Sequence, residues 1–329
     1  MCYNTAMQIK HQNHQLPISP RRLAGIAGAA ALGAAGVLVG AAAYATARIN
    51  VRTPNDFMSS YTFSPFETRV EGYEDVTFRT ADGLTLSGWW LPRPESRRVV
   101  VGLAGHRSPK SDLLGIGSGL WRAGNNVLIF DWRSRGQSEI AQHSLAYYEL
   151  RDAAAAIEYA LGRAPGARLG VIGYSMGASV AILLAAGEPR VAAVVADSPF
   201  TGIAEVVAHG AAQKHLPAQL VVPLADALTN WRYGYRFGAV RPIEAVAAIS
   251  PRQLLLIHGS ADSLIPVAHV HEFYAAAREP KERWVIERAD HCGGYFADRS
   301  LYVDRVATFF TQHLAISTEE SGVRSSSDS

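Results

Sequence analysis

The chain has 329 residues, of which 48% are hydrophobic, 18% charged and 9% aromatic, a globular composition that excludes wholesale disorder, collagen and coiled coil. Its 31 Lys+Arg against 29 Asp+Glu leave a formal net charge of +2; with no Lys/Arg-rich run, a nucleic-acid partner is not expected. Two cysteines, Cys2 and Cys292, supply neither a disulfide framework nor a zinc constellation, and the sequence calls for no metal or cofactor.

Residues 1–22 form a polar arm, in which His11 and His14 have the spacing of a metal pair but no apolar context to hold one. From Leu23 to Ala47 the chain runs for 25 residues without a charge. As a helix that run spans roughly 37 Å, enough to cross a bilayer with some tilt. Three readings fit it. It is an uncleaved signal anchor, a signal peptide cleaved at Ala43-Tyr44-Ala45 or Ala45-Thr46-Ala47, or a buried Ala-rich core helix. The anchor is the expectation carried forward, a transmembrane helix at 23–47. Lys10, Arg21 and Arg22 before the run outnumber Arg48 and Arg52 after it, which favours the N-terminus inside and the rest of the chain outside the cytoplasm. Residues 48–69 read as a stalk, and the Ser-rich residues 316–329 as a disordered tail.

Between residues 70 and 315 strand and helix patterns alternate. Val76 to Phe78 and Leu84 to Trp90 flank Ala81-Asp82-Gly83, a hairpin signal. Val99–Leu103, Asn126–Phe130, Leu169–Ile172, Val191–Val195 and Leu254–Ile257 are apolar runs suited to strands buried on both faces. Helical patterns fall at Ser111–Ala123, Leu150–Leu161, Ala178–Ala186, Val267–Ala277 and Tyr302–Phe310. The fold class is therefore α/β: a mostly parallel sheet wound by helices, with ligands at the carboxyl ends of the strands. Residues 200–247 break the rhythm with a helix-like stretch rich in large apolar groups. Either this is a long crossover with its own small core, or it is a helical cap that shapes a substrate pocket. The cap is the expectation, with Leu220, Trp231 and Tyr233 as candidate lining.

Gly173-Tyr174-Ser175-Met176-Gly177 is a G-x-S-x-G. Alone the pattern recurs by chance; here a strand precedes it and a helix follows. A strand turning that sharply into a helix pushes the serine Oγ outward, and the glycines let the two arms approach. The helix N-terminus sets the Met176 N–H where an oxyanion would form. Asp262 follows a strand 87 residues after Ser175, and His291 follows another 29 residues later. Asp197, in Ala196-Asp197-Ser198-Pro199, also ends an apolar strand and competes with Asp262 for the acid's role. Cys292 reads as a packing thiol.

Residues 70–315 resemble the α/β-hydrolase superfamily, and most closely its serine aminopeptidase-like bacterial members that are membrane-anchored or exported. The resemblance rests on the G-x-S-x-G, on the chain order Ser, Asp, His, on Asp131-Trp132-Arg133-Ser134-Arg135-Gly136-Gln137-Ser138, and on the H-G-x-x-D-x-x-I-P run at 258–266. It implies a catalytic triad of Ser175, Asp262 and His291, with an oxyanion hole partly from Met176. The loop after the Val99–Leu103 strand departs from the family's His-Gly, since Ala104 stands before Gly105; the second oxyanion donor is then expected to be the backbone N–H of His106. The activity implied is hydrolysis of an ester or thioester, with an amide also open, on a small-molecule acyl substrate. Peptidase, acyltransferase and a non-catalytic binding module of the same fold are the alternatives.

Overall fold

The computed structural model of the chain describes residues 20–50 and 65–315. The polar arm as far as residue 19, stalk residues 51–64 and the tail lie outside the described residues. Helix α1 (Pro20–Ile49) opens the structure. A hairpin follows, β1 (Glu74–Arg79) and β2 (Thr85–Leu91), with Phe78 opposite Leu86. Next come β3 (Arg98–Leu103), α2 (Leu114–Arg122), β4 (Asn126–Phe130), α3 (Glu149–Arg163) and β5 (Arg168–Tyr174). The chain continues through α4 (Met176–Gly187) and β6 (Val191–Asp197) into α5 (Ile203–Ala212), α6 (Ala218–Tyr233) and α7 (Pro242–Ala245). It ends with β7 (Gln253–Gly259), α8 (Ala268–Ala276), β8 (Lys281–Ile286), α9 (Gly294–Ala297) and α10 (Arg299–His313).

The eight strands form one sheet in the order β1-β2-β4-β3-β5-β6-β7-β8. The β1–β2 and β2–β4 pairs are antiparallel and the rest parallel. Helices cover both faces, α2, α9 and α10 on one and α3, α4, α7 and α8 on the other. That is why β3, β4 and β7 are continuous apolar runs while edge strand β1 buries only Val76 and Phe78. Buried side chains such as Val101, Leu128, Val171 and Leu256 each contribute about 1.5–3 kcal/mol by apolar area removed from water. Strand β3 lies between β4 and β5, so the chain leaves it in one direction and returns on the other. The loops after β3 and β5 part at that reversal, which opens a crevice at their carboxyl ends.

The segment between β6 and β7 carries the cap helices. Along α6, Val221, Ala225 and Thr229 are buried at four-residue spacing, and α1 packs along this helix. From α1 come Ala42, Thr46 and Ile49, again one face of a helix. Thr46 Oγ1 donates to the Ala225 carbonyl at 3.1 Å, and Tyr235 donates its hydroxyl proton to Asn50 Oδ1 at 2.9 Å. Arg48 and Ile49, expected in a stalk, are instead the docked end of α1, because burial of Ile49 and of Asn50 just after it holds the helix against the domain.

Candidate active site

Strand β5 ends at Tyr174 and α4 begins at Met176, leaving Ser175 to make the whole reversal. Its backbone sits at φ 53° and ψ −116°, a region that L residues occupy only under strain. Two glycines permit the turn. A Cβ on Gly173 would collide with the Gly177 carbonyl, and one on Gly177 with the Leu103 carbonyl.

His291 follows β8 and Asp262 follows β7, both at the carboxyl end of the sheet. His291 Nε2 lies 2.8 Å from Ser175 Oγ, and His291 Nδ1 lies 2.8 Å from Asp262 Oδ2. Asp262 Oδ1 accepts from the N–H groups of Leu264 at 3.0 Å and Ile265 at 2.7 Å. His258 Nε2 donates to the Ile265 carbonyl at 2.8 Å and stands 3.2 Å from Asp262 Oδ2. Burial works against ionising Asp262, but hydrogen bonds from His258, His291 and Ile265 outweigh it and hold the carboxyl well below the usual carboxylate range. Asp290 ties the two loops together: its Oδ1 accepts from Ser263 N and His291 N, each at 2.8 Å. Asp290 belongs to no motif, and its only mark in the sequence is its place directly before His291.

Asp197 has a different set of partners. Tyr302 donates its hydroxyl to Asp197 Oδ2 at 2.7 Å, Ser198 Oγ lies 3.0 Å from Oδ1, and burial raises the acid's pKa. Cys292 points its backbone N–H at Ser198 Oγ, and burial pushes its thiol well above the ordinary value, so it is a poor nucleophile.

The loop after β3 runs beside the serine, since a Cβ on Gly105 would stand 3.9 Å from Ser175 Cβ. The structure also shows how that loop is held where Ala104 replaces the family's histidine. Trp132 Nε1 donates to the Ala104 carbonyl at 2.9 Å. Arg135 Nε at 3.1 Å and His143 Nε2 at 3.0 Å both donate to the His106 carbonyl. Behind them Glu149 is fully buried, 2.9 Å from His143 Nδ1 and accepting from Ser144 N and Oγ. Burial opposes its charge, yet His143 and Ser144 hold its pKa down at about 2. The Trp132 and Arg135 braces come from the 131–138 motif. Its Asp131 accepts from Lys110 Nζ at 2.6 Å, while Arg133 binds Asp152 at 2.6 Å and Asp82 at 3.0 Å. The His106 ring packs against His143 in a tilted arrangement, centroids 4.7 Å apart, and burial together with that neighbour lowers its pKa well below the ordinary value.

Ser175 and His291 open into a cavity of about 550 Å³. Its walls include Arg48 and Ile49 from α1, Phe200 and Val206 from the cap segment, and Tyr295 and Phe296 from α9. The expected lining residues Leu220, Trp231 and Tyr233 are not among these walls. Because Val221, Ala225 and Thr229 face α1, Leu220 at 48% exposure and Trp231 at 80% point out to solvent. Tyr233 gives its carbonyl to the Tyr148 hydroxyl at 2.7 Å. Arg48 and Ile49 carried no motif; only the return of α1 onto the cap brings them to the serine.

The profile of the "Serine aminopeptidase, S33" family, Hydrolase_4, matches residues 94–233. The uncharacterized protein Rv2307c of Mycobacterium tuberculosis is 33% identical over 247 residues, 72% of this chain and 79% of that protein. The uncharacterized protein YfhR of Salmonella typhi is 31% identical over 268 residues, 74% and 82% of the two chains. Among solved structures, the Pyrococcus furiosus esterase Pf2001 superposes with a TM-score of 0.65 at 28% identity, covering 77% of this chain and 95% of its own. With the eight-stranded sheet, the strained elbow and these relatives in agreement, the chain belongs to the serine aminopeptidase-like family of α/β-hydrolases.

Proposed function

We propose that the protein is a membrane-anchored serine hydrolase that cleaves carboxylic esters through an acyl-enzyme. The observation that carries this reading is the unbroken relay Ser175 Oγ, His291 Nε2, His291 Nδ1, Asp262 Oδ2, with both links at 2.8 Å. His291 donates a hydrogen bond from Nδ1–H to ionised Asp262, which keeps that proton on Nδ1 and leaves Nε2 free to accept the Ser175 proton. Ser175 Oγ attacks the carbonyl, and the backbone N–H groups of Met176 and His106 receive the oxyanion. His291 then protonates the departing alcohol, and the same imidazole activates water to cleave the acyl-enzyme. Ester cleavage fits a pocket walled by Ile49, Leu113, Ile116, Phe200 and Phe296. The family's aminopeptidase description favours an amide as the second reading, with Asp112 as the pocket carboxylate to hold an amino terminus.

The anchor reading rests on α1. The stretch Ala27–Ile49 has a mean hydropathy of 1.6, and its described side chains from Ala27 to Gly40 are exposed, Leu38 alone being half-buried. Both A-x-A sites lie within helix docked on α6, where Ala42 and Thr46 are buried, so retention rather than cleavage is favoured. The test of function is fluorophosphonate labelling of the full chain, with p-nitrophenyl butyrate and amino-acyl p-nitroanilides as competing substrates. Ser175-dependent labelling with butyrate turnover supports the esterase. Turnover of the anilide alone moves the protein to the peptidases.

A further inference from the structure

A second cavity, of about 400 Å³, lies between α1 and the cap helix α5. Ala41, Ala45, Val207, Gly210, Ala211 and Val221 make its apolar walls. It shares Arg48, Ile49, Val206 and Leu264 with the cavity that holds Ser175, so the two adjoin across these side chains. Together they line a path from the serine back along α1.

The helix sets its depth. The charge-free part of α1 from Leu23 to Gly40 is 18 residues, about 27 Å at about 1.5 Å per residue, close to the ~30 Å hydrocarbon core. Packing onto the domain begins at Leu38, and the groove begins one turn later at Ala41. Its rim carries Tyr44 with Arg48 and Lys214 at 5.9 and 5.7 Å from the ring, the aromatic and cationic pair expected at a bilayer surface. Beside it, α6 exposes Leu220, Leu224 and Trp231, apolar surface suited to the headgroup boundary.

We infer that this groove holds the acyl chain of a bilayer lipid ester, drawn from the membrane along α1 so that its carbonyl reaches Ser175. The inference rests on the esterase and anchor readings above and specifies their substrate: a long-chain acyl ester resident in the membrane. The chain lies against Ala41, Ala45 and Gly210, where two methyl groups and a bare backbone leave it room. The carbonyl passes Ile49 and Val206 to the oxyanion donors.

The test uses the full chain in nanodiscs of dioleoylphosphatidylcholine doped with a phosphatidylcholine carrying a diazirine on one acyl chain. Irradiation is expected to label residues 206–216 of the cap as well as α1. In Gly210→Trp the cap label is expected to be lost; Gly210 lines the groove and a Cβ there meets nothing within 4 Å, so the larger residue is accommodated without displacing backbone. Ala41→Trp closes the groove from the other wall should the first variant misfold. Both variants are expected to lower the hexadecanoyl-to-butyryl ratio of kcat/KM for p-nitrophenyl esters by about tenfold or more, since each methylene denied burial costs several-fold. Butyrate turnover with an unchanged ratio and no cap label overturns the groove while the esterase reading stands. Cap labelling by a soluble diazirine acyl thioester but not by the phospholipid overturns the bilayer as source. Absence of Ser175-dependent hydrolysis of either ester overturns the esterase reading and this inference with it.

Discussion

The carbonyl of Ile49, the last residue of α1, accepts a hydrogen bond from His106 Nε2 at 3.1 Å. The residue proposed as the second oxyanion donor is thus tied by its side chain to the end of α1. Detachment of α1 would remove Ile49 from the catalytic pocket and release the His106 ring together. His106→Ala keeps the backbone donor, and its kcat is expected to fall less than about tenfold, against the 10²–10³ typical of a lost oxyanion donor. Its KM is expected to rise because the pocket wall loosens. Steady-state kinetics on butyrate and decanoate esters separate the two effects, and a kcat loss of 10³ would show the ring itself to act in the reaction.

Ser175→Ala is expected to abolish fluorophosphonate labelling and to lower kcat by a factor on the order of 10⁶, with the thermal transition unchanged. His291→Ala should be nearly as severe and the double variant little worse, because the pair acts as one unit. Residual turnover of a few per cent in folded Ser175→Ala would remove it as nucleophile.

The two candidate acids separate by substitution. Asp262→Asn is expected to cost about 10⁴ in kcat, since an amide at that place favours the wrong imidazole tautomer. Asp197→Asn disturbs the buried contacts with Tyr302 and Ser198 and is expected to act on stability, read as a fall in Tm. Equal losses of activity in two well-folded variants would return the role to Asp197.

Glu149 predicts an acid limit. Its pKa is held at about 2 against an ordinary 4.5, so the folded state binds its proton less readily than the unfolded chain. The stabilisation is complete above about pH 4.5 and disappears as the pH falls through 2; the shift corresponds to roughly 3 kcal/mol at one pKa unit per 1.36 kcal/mol. Urea unfolding at pH 6, 4 and 3 is expected to show this loss in the parent and a shallower one in Glu149→Gln. Parallel pH profiles for the two proteins would contradict it.

Retention of α1 predicts that alkaline carbonate leaves the protein in the membrane pellet and that its N-terminus precedes Ala45. With the N-terminus inside, protease added to intact spheroplasts should degrade the catalytic domain. A soluble species beginning near residue 46 or 48 would mean cleavage, and protection of the domain would invert the topology.

The sequence by itself determined the elements and the order of the motifs, because those depend on neighbours in the chain. Apolar runs of four or five residues are strands buried on both faces, and Gly173 with Gly177 allows only a tight strand-to-helix turn around Ser175. Tertiary structure decided what lies across long separations. Asp197 ends β6 and Asp262 lies just past β7, and only tertiary packing puts Asp262 on His291 and Tyr302 of α10 on Asp197. Leu220 and Trp231 have the composition of a pocket lining, yet one helical face of α6 is taken by α1 and they are left on another. Arg48 and Ile49 reach the active site for the same reason. Their place is set by the burial of Ala42, Thr46 and Ile49 against a helix nearly 180 residues away, 179 for the Thr46–Ala225 hydrogen bond, and no local pattern encodes a contact of that range.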